Sequence, residues 1–263
     1  GMLDDCILVD QSPISRSPRS NPVTYIKAFD EIRKTFADTV DAKTRNYTAS
    51  HFSFNSELGR CTTCSGDGVQ QIDMQFLADV YMTCPSCGGD RYKHEILNIR
   101  YRDRHIADVL RMTVHEAIHF FRGAEKVRQK LKVLNDVGLS YLQLGQSATT
   151  LSSGEAQRLK LAAFLAGSTR RKTLFLLDEP TTGLHTHDIA KLLDCFDALL
   201  AAGHSLIVVE HNLHLMAAAD YILDIGPGAA QHGGRLGAAG TPEHNANTPE
   251  SLTSRYLPDF MVP

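Results

Sequence analysis

Three stretches of this sequence place chemistry-bearing residues at spacings with a physical reading. In residues 151–158, LSSGEAQR, Ser152 stands three residues ahead of Glu155, the spacing of a capping box at a helix start. Ser153 and Gly154 then fall in the first turn, where backbone N–H groups without intrahelical partners can face an anion. Taken singly, the octapeptide also reads as an ordinary capped helix. In residues 174–180, LFLLDEP, an apolar run precedes Asp178 and Glu179. Such a run suits a buried parallel strand, and open α/β sheets bind ligands at the carboxyl ends of their strands. An aspartate there can hold Mg2+ through water, and a glutamate beside it can orient an attacking water. The plainer reading is a strand that ends in acidic turn residues.

The third stretch is cysteine-based. Cys61 and Cys64 form one CxxC and Cys84 and Cys87 another, with nineteen residues between the pairs. That spacing lets two turns converge on one tetrahedral Zn2+ through four thiolates. Redox CxxC motifs are the alternative, but those usually occur singly near a helix start. Between the pairs, VQQIDMQFLADVYMTC reads as strands with an intervening turn, so the module is expected to be a zinc-stapled hairpin.

The elements that position these residues follow from periodicity. Cys6–Val9 reads as a short strand, and Gln11 follows it in a loop that Pro13, Pro18 and Pro22 keep out of helix. A glutamine there could bind Mg2+ or water, or be a plain polar loop residue. Residues 23–37 carry Ile26, Phe29, Ile32 and Phe36 at helical spacing and predict one amphipathic helix. Residues 91–105 gather Arg91, Lys93, Arg100, Arg102 and Arg104 around Tyr92 and Tyr101. Alternation in NIRYRDR suits a strand, and basic side chains among aromatics suit a nucleic-acid backbone; each residue alone reads as solvated surface. Residues 106–112, IADVLRM, read as one short helix, Thr113 with Glu116 predicts a second, capped helix after it, and residues 124–136 a third, ended by Gly138. His115 and His119 share that second helix's face, with no third ligand evident.

After Glu179, residues 186–201 read as a helix and Ser205–Val209 as a strand with Glu210 and His211 at its end. LHLMAAA reads as a helix and YILDI as a strand. AAQHGGRLGAAGTPE is expected to form an antiparallel ribbon turning at Gly233-Gly234, and the tail to Pro263 to run partly extended. Strand–helix alternation after residue 170 predicts a parallel α/β sheet with right-handed crossovers. The expected organisation is residues 1–22 as a core strand and loop, 23–165 as a helical insertion with the zinc module at about 50–105, and 166–263 as the rest of the core.

Composition sets outer bounds. The 263 residues are 43% hydrophobic and 22% charged, with a net charge of −3. No global basic field advertises nucleic acid, so any such site must be a local patch. No apolar run is long enough to cross a bilayer and no signal peptide is evident, which predicts a cytoplasmic chain without membrane contact. Six cysteines without export signals favour metal over disulfides. Gly1 before Met2 reads as the remnant of a tag.

In order along the chain, Gln11, LSSGEAQR, LFLLDEP, TTGLH (residues 181–185) and IVVEHN resemble motifs of the ABC ATPases: Q-loop glutamine, signature, Walker B, the following loop and the switch histidine. VDQSPISRSPRSNPVTY, the two CxxC pairs, LSSGEAQRLKLA, DEPTTGLH, VVEHNL and DIGPG with GTPE together resemble, nearly end to end, the C-terminal half of the UvrA family. That family senses DNA damage for nucleotide excision repair, the bacterial excision nuclease of the SOS response. The resemblance implies an ABC-type lobe whose helical signature subdomain carries a zinc β module. It implies Zn2+, ATP and Mg2+ as cofactors, DNA as ligand, and handover to a UvrB-like helicase subunit. It makes Glu179 the catalytic carboxylate, His211 the switch residue, and Asp178 and Gln11 ligands of nucleotide and Mg2+. Ser152, Ser153, Gly154 and Glu155 would close over a nucleotide held by another Walker A.

No GxxxxGK[ST] occurs in the sequence, and in ABC order that loop precedes Gln11. The chain is therefore expected to supply part of a composite site, completed by a Walker A-bearing half or a second UvrA-type chain, and to hydrolyse little ATP alone. Ser153 and Ser15 stand where the family has glycine. The alternatives are a catalytically silent zinc and DNA-binding module, or a divergent paralogue serving drug self-resistance.

Overall fold

The computed structural model describes residues 3–15, 17, 19–72, 80–167, 172–226, 234–249 and 251–261. The chain forms two compact units, Gly1–Asp10 with Arg170–Pro263, and Gln11–Thr169.

Strand β1 (Asp5–Val9) opens the first unit. The second unit then begins with α1 (Pro22–Tyr25) and α2 (Ala28–Ala37). These replace the single helix expected over residues 23–37. Asn21 caps α1 in a capping box with Thr24, Pro22 presets its first turn, and Lys27 at φ 56° breaks the path before α2. The apolar spacing survives the break, because Val23, Ile26, Phe29, Ile32 and Phe36 are all buried. After α3 (Val40–Thr44), antiparallel strands β2 (Val69–Ile72) and β3 (Val80–Thr83) pair Val69 with Thr83 and Ile72 with Val80. The expected turn between them, residues 73–79, lies outside the described residues.

The strand expected in NIRYRDR is not formed. Instead α4 (His94–Leu97) buries Ile96 and Leu97, and Tyr101 and Arg104 then exchange backbone hydrogen bonds of 2.9 and 3.1 Å across a two-residue turn. Arg102 and Asp103 at the turn have φ 49° and 64°, the left-handed pair that closes tight hairpins. Buried Ile96, Leu97 and Ile99 outweigh the charge alternation that suggested a strand. Helices α5 (Ile106–Arg111), α6 (Val114–Phe120), α7 (Glu125–Asp136) and α8 (Ser153–Leu165) complete the unit. Thr113 and Glu116 cap α6 reciprocally, as their spacing predicts.

In the first unit, β4 (Thr173–Asp178) lies between β1 and β5 (Ser205–Val209), all parallel, with Leu8 opposite Leu176 and Leu176 opposite Ile207. Helix α9 (Thr186–Ala201) connects β4 to β5 and buries Ile189, Leu192, Cys195, Phe196 and Leu199. One sheet face holds the buried Val9, Phe175 and Leu177. The other leaves Leu8, Ile207 and Val209 62, 54 and 61% exposed, although parallel sheets are ordinarily covered on both faces.

Helix α10 (Leu213–Ala217) leads to β6 (Ile222–Ile225), which pairs antiparallel with β7 (Leu236–Gly240). The ribbon thus uses YILDI as its first arm rather than lying within residues 229–243. Its expected turn residue Gly233 lies outside the described residues. Thr241, expected in the ribbon, instead caps α11 (Pro242–Ala246) through a bond from the His244 N–H. From residue 253 to 260 the tail is not extended. Residues Thr253–Arg255 and Leu257–Phe260 form 3-10 turns, anchored by buried Leu257 and by packing of Phe260 against the His214 ring at 4.8 Å. No helix among the described residues is long and apolar enough to cross a membrane.

Candidate nucleotide and metal sites

Asp178 ends β4 opposite Val209 of β5. Parallel pairing therefore sets the residues after both strands side by side. The Glu179 N–H donates to Val209 O at 2.8 Å, and Glu179 takes φ 45° to turn the chain out of the sheet. A non-glycine residue pays about 1–2 kcal/mol for that conformation, so the neighbouring bonds must hold it. The result is that His211 Nδ1 lies 3.6 Å from Glu179 Oε1, with side chains 79 and 46% exposed. A contact this open adds little to stability, and both side chains are accessible from solvent.

Glu210, to which the sequence reading assigned no role, organises this corner. Its two oxygens accept bonds from Thr181, His211 and Asn212. Burial pushes its pKa up, but the Thr181 hydroxyl and the Thr181, Asn212 and His211 amides outweigh that and hold it below the usual carboxylate range. No periodicity marks such a residue. The only available signal was an acidic side chain at a strand end, directly before the histidine.

In the other unit, Ser152 caps α8 as its spacing predicts. Its Oγ accepts from the Glu155 N–H at 3.3 Å, while Glu155 Oε2 accepts from the Ser152 N–H at 2.7 Å and hydroxyl at 2.9 Å. The Tyr141 hydroxyl donates to Glu155 Oε1 at 2.7 Å, a partner the sequence did not suggest. Burial would raise Glu155, but bonds from Tyr141 and Ser152 bring it below its ordinary value. Tyr141 is pushed up to about 12, by burial and by donation to that carboxylate. Ser152 and Ser153 are exposed and Gly154 is buried, so the hydroxymethyl group of Ser153 lies on open surface rather than inside the helix packing. Gln11 is half-buried in the loop after β1.

The four module cysteines converge. Cys61 and Cys84 Sγ are 4.0 Å apart, Cys64 and Cys87 Sγ 3.7 Å, and all four lie within 4.8 Å of one another with no disulfide. A tetrahedral zinc with Zn–S bonds of about 2.3 Å separates its sulfurs by about 3.8 Å, so the cluster fits Zn2+. Burial pushes the Cys87 thiol up to about 12 and raises Cys64. Burial also opposes ionisation of Cys61, but the Cys64 and Thr63 amides overcome it and bring that thiol to about 7. Four thiolates within 4.8 Å of one another would repel, and a bound cation would offset that repulsion. Gly66 at φ 90° closes the first turn, where a Cβ would stand 1.9 Å from Phe54 O.

The five basic residues do not make one face. Arg91 is turned inward, with its guanidinium 5.4 Å from the Phe54 ring centroid and Nη2 donating to Gly145 O at 3.3 Å; burial depresses its pKa. That guanidinium is thus engaged within the fold. Lys93 Nζ donates to the carbonyls of Glu57 and Leu58 at 2.9 and 3.2 Å. Arg102 donates to Phe120 O at 2.7 Å and Arg122 O at 2.5 Å. Arg100, Arg102 and Arg104 do stand exposed together at the 101–104 turn. The His115 and His119 rings meet edge-on at 4.7 Å; among the described residues, the only group of three or more candidate metal ligands is the cysteine cluster.

The family described as ABC transporter matches residues 70–182. UvrABC system protein A of Clostridium perfringens is 51% identical over 259 residues, covering 98% of this chain and 28% of that protein. The Aquifex aeolicus protein of the same name is also 51% identical, with the same coverage. The Streptomyces avermitilis protein is 50% identical over 99% of this chain and 26% of its own length. The crystal structure of UvrA2 from Deinococcus radiodurans superposes with a TM-score of 0.89 at 47% identity, over 99% of this chain and 32% of that one. The chain thus spans about a quarter of the length of the curated relatives it matches.

Proposed function

Because the chain belongs to the UvrA branch of the ABC ATPases, we propose that it contributes Walker B, switch, Q-loop and signature residues to the ATP sites of a DNA-damage-sensing protein of nucleotide excision repair. The observation that carries this reading is the approach of Glu179 and His211, 3.6 Å apart at the carboxyl ends of adjacent parallel strands. That is where an open α/β sheet binds its ligand. Mg-ATP would supply the scissile phosphoanhydride and the charge that polarises it. Asp178 would hold Mg2+ through water, the Glu179 carboxylate would orient the attacking water, and His211 would bond the γ-phosphate.

The phosphate cradle comes from elsewhere in this reading, from a Walker A-bearing half or a second UvrA-type chain. The uncovered apolar face of Leu8, Ile207 and Val209 supports that, since a parallel sheet gains by acquiring a second layer. Gln11 would contribute to Mg2+ or water binding, and Ser152, Ser153, Gly154 and the helix start behind them would close over nucleotide. Cys61, Cys64, Cys84 and Cys87 would hold Zn2+ as a structural ion. Arg100, Arg102 and Arg104 would meet the DNA backbone, with Arg91 and Lys93 bracing the segment behind them. The working compartment is the cytoplasm, and a UvrB-like helicase subunit receives the lesion.

The decisive experiment is Mg-ATP binding and hydrolysis by this chain, alone and mixed with a Walker A-bearing UvrA half, with Glu179→Gln as control. Turnover in the mixture that the substitution abolishes is the expected result. Turnover indifferent to Glu179→Gln sinks the assignment.

A further inference from the structure

Glu210 is the junction of two loops. Its Oε1 accepts from the Thr181 N–H at 2.8 Å and from the Thr181 hydroxyl. Its Oε2 accepts from the His211 N–H at 2.7 Å and the Asn212 N–H at 3.0 Å. Thr181 is buried, two residues beyond Glu179 in the turn after β4. His211 and Asn212 lead out of β5. One carboxylate therefore collects four donors from the two loops that carry Glu179 and His211. The depressed pKa of Glu210 keeps it ionised and all of its lone pairs available. A glutamine in its place would keep one acceptor oxygen and aim an NH2 group at two donors.

We propose that Glu210 is a positioning residue for the Glu179–His211 pair, tying the loop after β4 to the loop after β5 so that carboxylate and imidazole face one another. Neither partner reaches that arrangement by local preference. Glu179 stands at φ 45°, a region disfavoured for side chains with a Cβ. Its own N–H is held by Val209 O, and the turn closes through Thr182 N–H to Glu179 O at 3.1 Å. Glu210 grips the same turn from its other side, at Thr181. The His211 side chain is largely exposed, so packing does not aim it; its backbone is aimed by the bond to Glu210 Oε2. The purpose of this geometry rests on the hydrolytic reading above, but the geometry itself needs no nucleotide.

The test uses the isotopically labelled chain without nucleotide, read by NMR. Two signatures are followed: cross-peaks between the Glu179 side chain and the His211 ring, and amide exchange of Thr181, His211 and Asn212. Glu210→Gln is expected to remove the cross-peaks and speed exchange of the three amides by about tenfold, with Leu176 and Ile207 amides in the strands unchanged. Thr181→Val, which keeps every charge, is expected to weaken the cross-peaks, and it decides the matter if Glu210→Gln does not fold. Cross-peaks and exchange as in the unsubstituted chain overturn the proposal. So does loss of the cross-peaks accompanied by equal loosening of the strand amides, which assigns Glu210 to general stability. Failure of the chain to hydrolyse ATP bears on the hydrolytic reading alone.

Discussion

His211 Nδ1 and Glu179 Oε1 stand 3.6 Å apart, brought together from two loops by the parallel register of Asp178 with Val209. The pair is open to solvent, so its removal should affect chemistry far more than folding. In an assembled site, Glu179→Gln is expected to lower kcat by about 100-fold or more while nucleotide binding persists. Thermal unfolding of the variant should shift by no more than a few degrees. A large loss of melting temperature with kcat retained would reverse that assignment.

The metal module makes a sharper stability prediction. Cys61→Ala leaves three of the four converging sulfurs. Metal content measured by mass spectrometry should fall from one zinc per chain towards none, and residues 61–72 and 80–87 should lose protection from proteolysis. Retention of one zinc per chain in the variant would falsify the four-thiolate site.

The start of α8 carries a pH dependence. Glu155 is held below its ordinary value by bonds from Tyr141 and Ser152. A carboxyl lowered in the folded state contributes stability fully present above its unfolded pKa, about 4.3, and lost as pH falls through the lower folded value. The protection factors of the Ser152 and Glu155 amides, corrected for the intrinsic pH dependence of exchange, should therefore hold at pH 5 and fall as acid is taken below 4. Glu155→Gln should remove that dependence, and Ser152→Ala should cost about 1 kcal/mol at neutral pH. An identical acid profile in Glu155→Gln would move the effect to another group.

Basic residues at the 101–104 turn should act differently from the inward-turned Arg91. Arg100→Ala with Arg104→Ala is expected to weaken duplex DNA binding and to reduce the magnitude of the salt slope of log K by about 2. Arg91→Ala, which loses the bond to Gly145 O and the Phe54 contact, should instead lower the melting temperature and leave the slope of folded protein alone. Equal slopes in all three proteins would remove the turn from the DNA surface.

Much of the architecture was legible in the residues because it rests on local signals. Capping pairs at Thr113/Glu116 and Ser152/Glu155, apolar runs at β1, β4 and β5, and CxxC spacing each carry their meaning within a few positions. Local signals misled where a tertiary demand prevailed. Charge alternation in NIRYRDR suggested a strand, but the burial of Ile96, Leu97 and Ile99 and a left-handed pair at Arg102-Asp103 made a helix and a turn. One periodic helix over residues 23–37 became two because Lys27 adopts a conformation that periodicity does not report. The tail folded back because Leu257 found a buried place.

By itself, the sequence determined which side chains are present, their order, and which secondary elements carry them: Asp178 and Glu179 after one apolar strand, His211 after another, and four cysteines in two turns. Only the tertiary structure decided what meets. Strand register set Glu179 beside His211, and the meeting of two loops gave Glu210 its four donors. Side-chain direction turned Arg91 inward while Arg100 and Arg104 stayed outside. The reason is physical: propensity and spacing act over a few residues of chain, whereas hydrogen bonds and burial act over a few ångströms of space.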